Sequence, residues 1–181
     1  MAKNLKEASL PKAYVLISCD PGSENSVITN LKSIETVKDA HETFGSYDII
    51  AKMESDREDK LKESITKKIR MLPKIRATLT LMVDETKDLF GKRLRPDEKE
   101  TLDRHSSQAY VAIECKRTKE DEVLQELSTI PEVIEGDAVM GSFDLICKVA
   151  APTYNDISDV VTKKVRKIKN VTTTTTLNMM P

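Results

Sequence analysis

The residues best suited to chemistry in this chain come twice. Gly45-Ser46-Tyr47-Asp48 has the spacing of a turn that closes on a carboxylate, and Gly141-Ser142-Phe143-Asp144 repeats it. Glycine lets backbone approach a ligand closely and leaves N–H groups free to meet an anion. An Asp one step further on pairs with a cation, so the two together suit a zwitterion such as an amino acid. The same residues equally suit a plain hairpin in which Asp caps a backbone group, and residue types alone favour neither. Thr78 and Thr80, matched by Thr174 and Thr176, alternate along a later β-branched run. They read as strand formers, or as hydroxyls lining a pocket between two sheets.

Other chemistry finds little support. His41 aligns with Asp137 between the repeats, and His105 falls outside them. Neither recurs as His, so no catalytic or metal-binding role is expected. Glu24 and Glu120 fall in the first turn of a helix, where the dipole accounts for them. Cys19, Cys115 and Cys147 lie within strand-like runs and read as small buried hydrophobes. A metal or redox site on them is the minority reading, because no ligand spacing accompanies them. The sequence shows no nucleophile-base pair, no phosphate loop and no metal motif.

These residues are positioned by two copies of one small unit, 96 residues apart and aligned without a gap. Each copy opens with a β-branched run, Tyr14 to Cys19 or Tyr110 to Cys115. Val27, Ile28, Leu31 and Ile34, matched by Val123, Leu124, Leu127 and Ile130, have helical spacing. Thr118 is the expected N-cap of the second of these helices. Val37 to Phe44 and Val133 to Met140 read as second strands, and a two-residue Gly-Ser turn leads to third strands, Tyr47 to Met53 and Phe143 to Val149. A second helix carries Leu61, Ile65, Ile69 and Leu72, or Ile157, Val161, Val165 and Ile168. Fourth strands run Ile75 to Val83 and Val171 to Met179. The order β-α-β-β-α-β names a ferredoxin-like α+β unit, an antiparallel sheet with both helices on one face.

Alternation in the first and third strands places apolar residues on both faces of each sheet, whereas helices cover only one. The bare faces are therefore expected to pair, within the chain or between chains, in the manner of a dimeric α/β barrel. The expected organisation is an N-terminal tail over 1–12, a first domain over 13–83, a charged and partly helical linker over 84–108, and a second domain over 109–181. Pro96 followed by acids reads as a helix opening. The basic run Lys92-Arg93-Leu94-Arg95 reads as solvated connector.

Of the 181 residues, 39% are apolar, 33% charged and 4% aromatic, with no Trp and a net charge of −1. That balance gives no pull toward nucleic acid or an anionic membrane. No signal peptide or membrane span is visible, so a cytoplasmic protein is expected.

On the two Gly-Ser-aromatic-Asp segments and the closing strands Ile75-x-x-Thr78-x-Thr80 and Val171-x-x-Thr174-x-Thr176, each copy resembles the effector-binding domain of the Lrp/AsnC regulators. The resemblance implies sheet-face dimerisation, higher homo-oligomers and a small effector, typically an amino acid, bound near the hairpin. It implies ligand contacts from Gly45, Ser46, Tyr47, Asp48, Thr78 and Thr80 and from Gly141, Ser142, Phe143, Asp144, Thr174 and Thr176. No cofactor is implied. The family's helix-turn-helix has no counterpart here, so DNA would be reached through DNA-binding relatives. The resulting expectation is a non-catalytic, regulatory small-molecule-binding module. The alternatives are a small barrel enzyme of the monooxygenase type, which requires a His, Tyr or carboxylate cluster that the sequence does not reveal, and metal handling through the Cys positions.

Overall fold

The computed structural model describes residues 10–87 and 95–181. Most of the N-terminal tail and residues 92–94 of the basic run thus lie outside the described residues. The first copy contains β1 (Lys12–Cys19), α1 (Glu24–Lys32), β2 (Val37–Phe44), β3 (Ile49–Glu54), α2 (Glu58–Glu63) and β4 (Ile75–Val83). α3 (Pro96–His105) follows, and then the second copy: β5 (Ser107–Cys115), α4 (Glu120–Ser128), β6 (Val133–Met140), β7 (Leu145–Ala151), α5 (Tyr154–Lys163) and β8 (Val171–Met179). Among the described residues no helix is long and apolar enough to cross a membrane.

The two copies form one closed antiparallel barrel in the order β1-β3-β2-β8-β5-β7-β6-β4. Equivalent strands lie opposite each other and run in the same direction, so a pseudo-twofold axis follows the barrel. The sheets therefore pair within the chain. One seam joins β2 to β8 through Thr43↔Met179 and Phe44↔Asn178, and the other joins β4 to β6 through Met82↔Met140 and Val83↔Val139. Each seam is extended by an equivalent backbone bond, Met180 N–H to the Glu42 carbonyl and Asp84 N–H to the Ala138 carbonyl, both 2.9 Å.

Strand alternation sorts the core into three. Val15, Ile17, Ile49, Ala51 and Met53 face Val27, Leu31, Leu61, Ile65 and Ile69 of α1, α2 and the π-helical stretch Ser64–Ile69 that continues α2. The second copy repeats this, with Val111, Ile113, Leu145, Cys147 and Val149 under α4 and α5. The other faces meet in the barrel, where Tyr14, Leu16, Ile50, Leu81, Tyr110, Ile146 and Leu177 are buried against one another. Each large apolar side chain so buried contributes about 1.5–3 kcal/mol, so neither sheet is expected to persist without the other.

Three local expectations are corrected. The connection from β2 to β3, and from β6 to β7, is four residues long, and the third strands begin at Ile49 and Leu145. The chain is diverted there because Asp48 and Asp144 donate their backbone N–H groups to the carbonyls of Ile17 and Ile113 on β1 and β5. Tyr47 consequently leaves the helix-side alternation and packs, like Phe143, against the core between the sheets. Thr118 is not a cap. It has φ of 65°, the left-handed conformation that Gly22 takes at the equivalent place with φ of 82°, and the N-cap of α4 is Lys119.

Candidate functional site

One side of each repeated hairpin meets a strand of the opposite copy. A Cβ placed on Gly45 would lie 2.8 Å from the Thr176 carbonyl oxygen, and one on Gly141 would lie 3.0 Å from the Thr80 carbonyl oxygen. Both glycines also have positive φ, 145° and 142°. Glycine is thus demanded twice over, by backbone conformation and by the approach of a strand from the other copy. Asp48 Oδ2 accepts the Cys19 backbone N–H at 2.9 Å, and Asp144 Oδ2 accepts that of Cys115 at 2.9 Å. These carboxylates fasten the hairpin to the end of the first strand. Ser46 and Ser142 are exposed.

The threonines do not line a space between the sheets. Thr78 and Thr80 pair with Ile17 and Val15, and Thr174 and Thr176 with Ile113 and Val111. They share the helix-side face with those partners, while Leu79, Leu81 and Leu177 of the same strands fill the barrel. Strand parity decides this: one residue of offset turns a side chain to the other face. Arg166 Nε donates to Thr174 Oγ1 at 2.8 Å, and Thr80 Oγ1 is buried without a partner.

A constellation that the sequence reading did not assemble lies inside the barrel. Tyr14 and Tyr110, equivalent residues on β1 and β5, meet edge to face across the pseudo-twofold with ring centroids 5.7 Å apart. Lys52 lies over the Tyr14 ring and Lys148 over the Tyr110 ring, 5.9 and 5.7 Å from the centroids. Beside them stand Asp39 and His41 on β2 and their equivalents Glu135 and Asp137 on β6. Lys52 pairs with Glu135 at 3.3 Å, and Lys99 of α3 reaches the other Glu135 oxygen at 3.6 Å. The Tyr14 hydroxyl donates to Asp137 Oδ2 at 2.9 Å. His41 Nε2 lies 2.6 Å from Asp39 Oδ2, and Asp39 Oδ1 accepts the Ala40 N–H at 3.0 Å. Lys148 is only 6% exposed and has neither an ion pair nor a hydrogen bond among the described residues.

Electrostatics separates these groups. Burial, and then the Asp137 charge, push the Tyr14 phenol well above its usual 10.0, so it remains a donor. Burial also raises the Asp137 carboxyl, outweighing the Tyr14 hydrogen bond and the charges of Lys12 and Lys52. At Glu135 burial acts in the same sense but is overcome by Lys52, Lys148 and Lys99, which hold that carboxyl below its usual range. At Asp39 burial is overcome by the hydrogen bond and charge of His41 and by Lys148, and the result is again a lowered carboxyl. The cysteines are held as thiols: burial pushes Cys147 up to about 12, and burial followed by the Asp144 charge pushes Cys115 to about 11. Among the described residues no three His, Cys, Asp or Glu side chains are placed to hold a metal. The surface hollow of about 270 Å³ beside α5, lined by Glu132, Asp156, Asp159, Lys163 and Lys164 among others, lies on the outer face and not at this cluster. Its charges are paired, Lys164 with Glu132 at 2.8 Å and Lys163 with Asp159 at 3.4 Å.

The signal for the cluster was present in the sequence. Lys52 and Lys148 recur at equivalent positions, and strand parity puts both on the face that looks into the barrel. A search for one His repeated in both copies does not find it, because the polar groups are shared between the copies and differ between them.

A model of the Lrp/AsnC ligand binding domain matches residues 12–88 and again residues 108–180. The chain belongs to the Lrp/AsnC ligand-binding family. Protein PHS023 from Pyrococcus horikoshii is 35% identical over 41% of this chain and 90% of its own, with a TM-score of 0.40. Two solved structures resemble both copies together, at the level of fold. The siroheme decarboxylase NirDL covers 94% of this chain and 71% of its own at 12% identity and a TM-score of 0.68. An anthrone oxidase-like protein covers 97% and 93% at 11% identity and a TM-score of 0.60. No curated protein matches the chain. These whole-chain likenesses overturn the expectation of a non-catalytic regulatory module: family membership does not exclude catalysis when the barrel made by both copies is also that of a decarboxylase. The physical reason for the error is that the sequence alone did not show a polar cluster divided between the repeats.

Proposed function

We propose that this member of the family is an acid–base enzyme whose centre is the polar cluster between the sheets. The observation that carries the reading is the His41–Asp39 pair beside Lys148. A carboxylate that accepts the Nε2–H of His41 leaves Nδ1 as the proton acceptor and orients the ring. His41 is half-buried, so a small molecule can reach it. The barrel interior is filled by leucine, isoleucine and tyrosine side chains, which restricts the substrate to a small compound at the polar end.

The reaction class that fits is proton transfer at a carbon next to a carbonyl. A C–H proton passes to His41 Nδ1, its bonding electron pair forms a carbon–carbon double bond while the carbonyl π pair moves onto oxygen to give an enolate, and return of the proton to a different atom completes an isomerisation or tautomerisation. A fixed cation near the developing oxyanion lowers the barrier without reorganisation. NirDL, described as a siroheme decarboxylase, shares this fold at 12% identity, which supports reading such a barrel as a frame that can carry an enzyme's site.

The test is proton exchange in D2O, followed by NMR over a panel of small neutral and anionic carbonyl compounds. At least one should lose its α-proton signal faster with the protein, and His41→Asn should abolish that acceleration. A panel in which the protein accelerates no exchange would count against the reading. So would acceleration that survives in the His41→Asn protein.

A further inference from the structure

The two halves of the cluster are built from equivalent residues but are not equally satisfied. On one side Lys52 has Glu135 at 3.3 Å. On the other, Asp39 occupies the place equivalent to Glu135, yet both of its oxygens are engaged, by His41 at 2.6 Å and by the Ala40 N–H at 3.0 Å. Glu135 is the in-register neighbour of Lys148 across β6 and β7, and its oxygens are taken by Lys52 and Lys99. Lys148 therefore stands between two carboxylates that both feel its charge, but it forms an ion pair with neither among the described residues. Its remaining contact is the face of Tyr110, 5.7 Å from the ring centroid.

The Lys148 side chain is buried along its length, yet its ammonium is not sealed from solvent, so an anion can reach it. We infer that Lys148 is the anchor for a small monocarboxylate, whose oxygens complete the ion pair that the second copy lacks. This names the substrate class of the proposed enzyme and rests on that reading for the site's use, though not for the binding itself. The asymmetry makes the prediction specific: one anion per chain, bound at Lys148 and not at Lys52.

The experiment is calorimetric titration of the full chain with pyruvate and with acetate, with acetone as the neutral control. Wild-type protein should bind one carboxylate per chain and no acetone. Lys148→Met should weaken binding at least tenfold, Lys148→Arg should restore it to within about threefold, and Lys163→Met, on the outer face, should change it by less than threefold. Thermal unfolding establishes that each variant is folded, and Lys148→Gln replaces Lys148→Met if that protein is not. Carboxylate affinity that is unchanged in folded Lys148→Met or Lys148→Gln protein, or wild-type protein that binds neither acid, overturns the assignment. His41→Asn separates the two proposals. Binding that depends on Lys148 without His41-dependent exchange removes the enzyme and keeps the anchor. Exchange that depends on His41 but is indifferent to Lys148 does the reverse.

Discussion

Copy one and copy two contribute equivalent residues to the barrel interior, and the halves end in different states. In one half Tyr14 donates to Asp137 and Lys52 pairs with Glu135, so every charge has a partner in the opposite sheet. In the other, Tyr110 and Lys148 face His41 and Asp39, which are engaged mainly with each other. Two substitutions accompany the difference, His41 at the place of Asp137 and the shorter Asp39 at the place of Glu135. The imidazole holds Asp39 at 2.6 Å, and Lys148 acts on that carboxylate through its charge without forming an ion pair with it. A duplicated domain can thus keep one half as a fastener and open the other to a ligand, which two identical subunits cannot do.

The outer frame, by contrast, is nearly symmetric, and the largest expected effects come from testing that symmetry. Gly45→Ala places a methyl 2.8 Å from the Thr176 carbonyl at positive φ, and should cost about 2–4 kcal/mol. Gly141→Ala, whose methyl would meet the Thr80 carbonyl at 3.0 Å, should cost nearly as much. Denaturant melts check both. A variant as stable as wild type would mean that the seams yield and that the hairpin glycines serve something other than packing.

The fastened half should be exposed by pH. Glu135 is held below its usual 4.5 in the folded protein, so the stability it confers is present above that pH and is lost as pH falls through the folded value. Asp137 is displaced upward from 3.8, so ionising it costs stability as pH rises through the interval above 3.8. Glu135→Gln should therefore be destabilised at pH 7, by on the order of 1–3 kcal/mol, with the deficit closing below about pH 4. Asp137→Asn, which still accepts from Tyr14, should behave oppositely and gain on wild type as pH rises from about 4 to 7. Parallel melts across that range decide it, and identical pH profiles for the two variants would contradict the different environments assigned to them.

The smallest effect concerns a residue first read as a ligand contact. Thr80 Oγ1 is buried and unbonded. Thr80→Val should therefore leave stability unchanged or raise it by about 1 kcal/mol. A marked loss would show that the hydroxyl has a role in the fold.

Much of the frame was legible before any coordinates. The offset of 96 residues, the element order and the faces of β1 and β3 follow from periodicity, because a strand has a period of two and a helix 3.6 wherever they occur. Hairpin boundaries were less legible: Asp48 and Asp144 are held by contacts to a strand far away in sequence, which no local pattern reports. The twin hairpins looked like a binding site because glycine and aspartate have the same appearance whether they meet a ligand or a neighbouring strand.

The sequence by itself determined two equal sheets, each with a bare apolar face, since alternation and composition are local properties. Only the tertiary structure decided that the faces close on each other within one chain and bring β2 against β6 and β3 against β7 across the pseudo-twofold. A site divided between the repeats exists only after that closure. Its partners, such as Tyr14 and Asp137, are 123 residues apart, and their pairing is fixed by the register of the seams and not by any spacing along the chain.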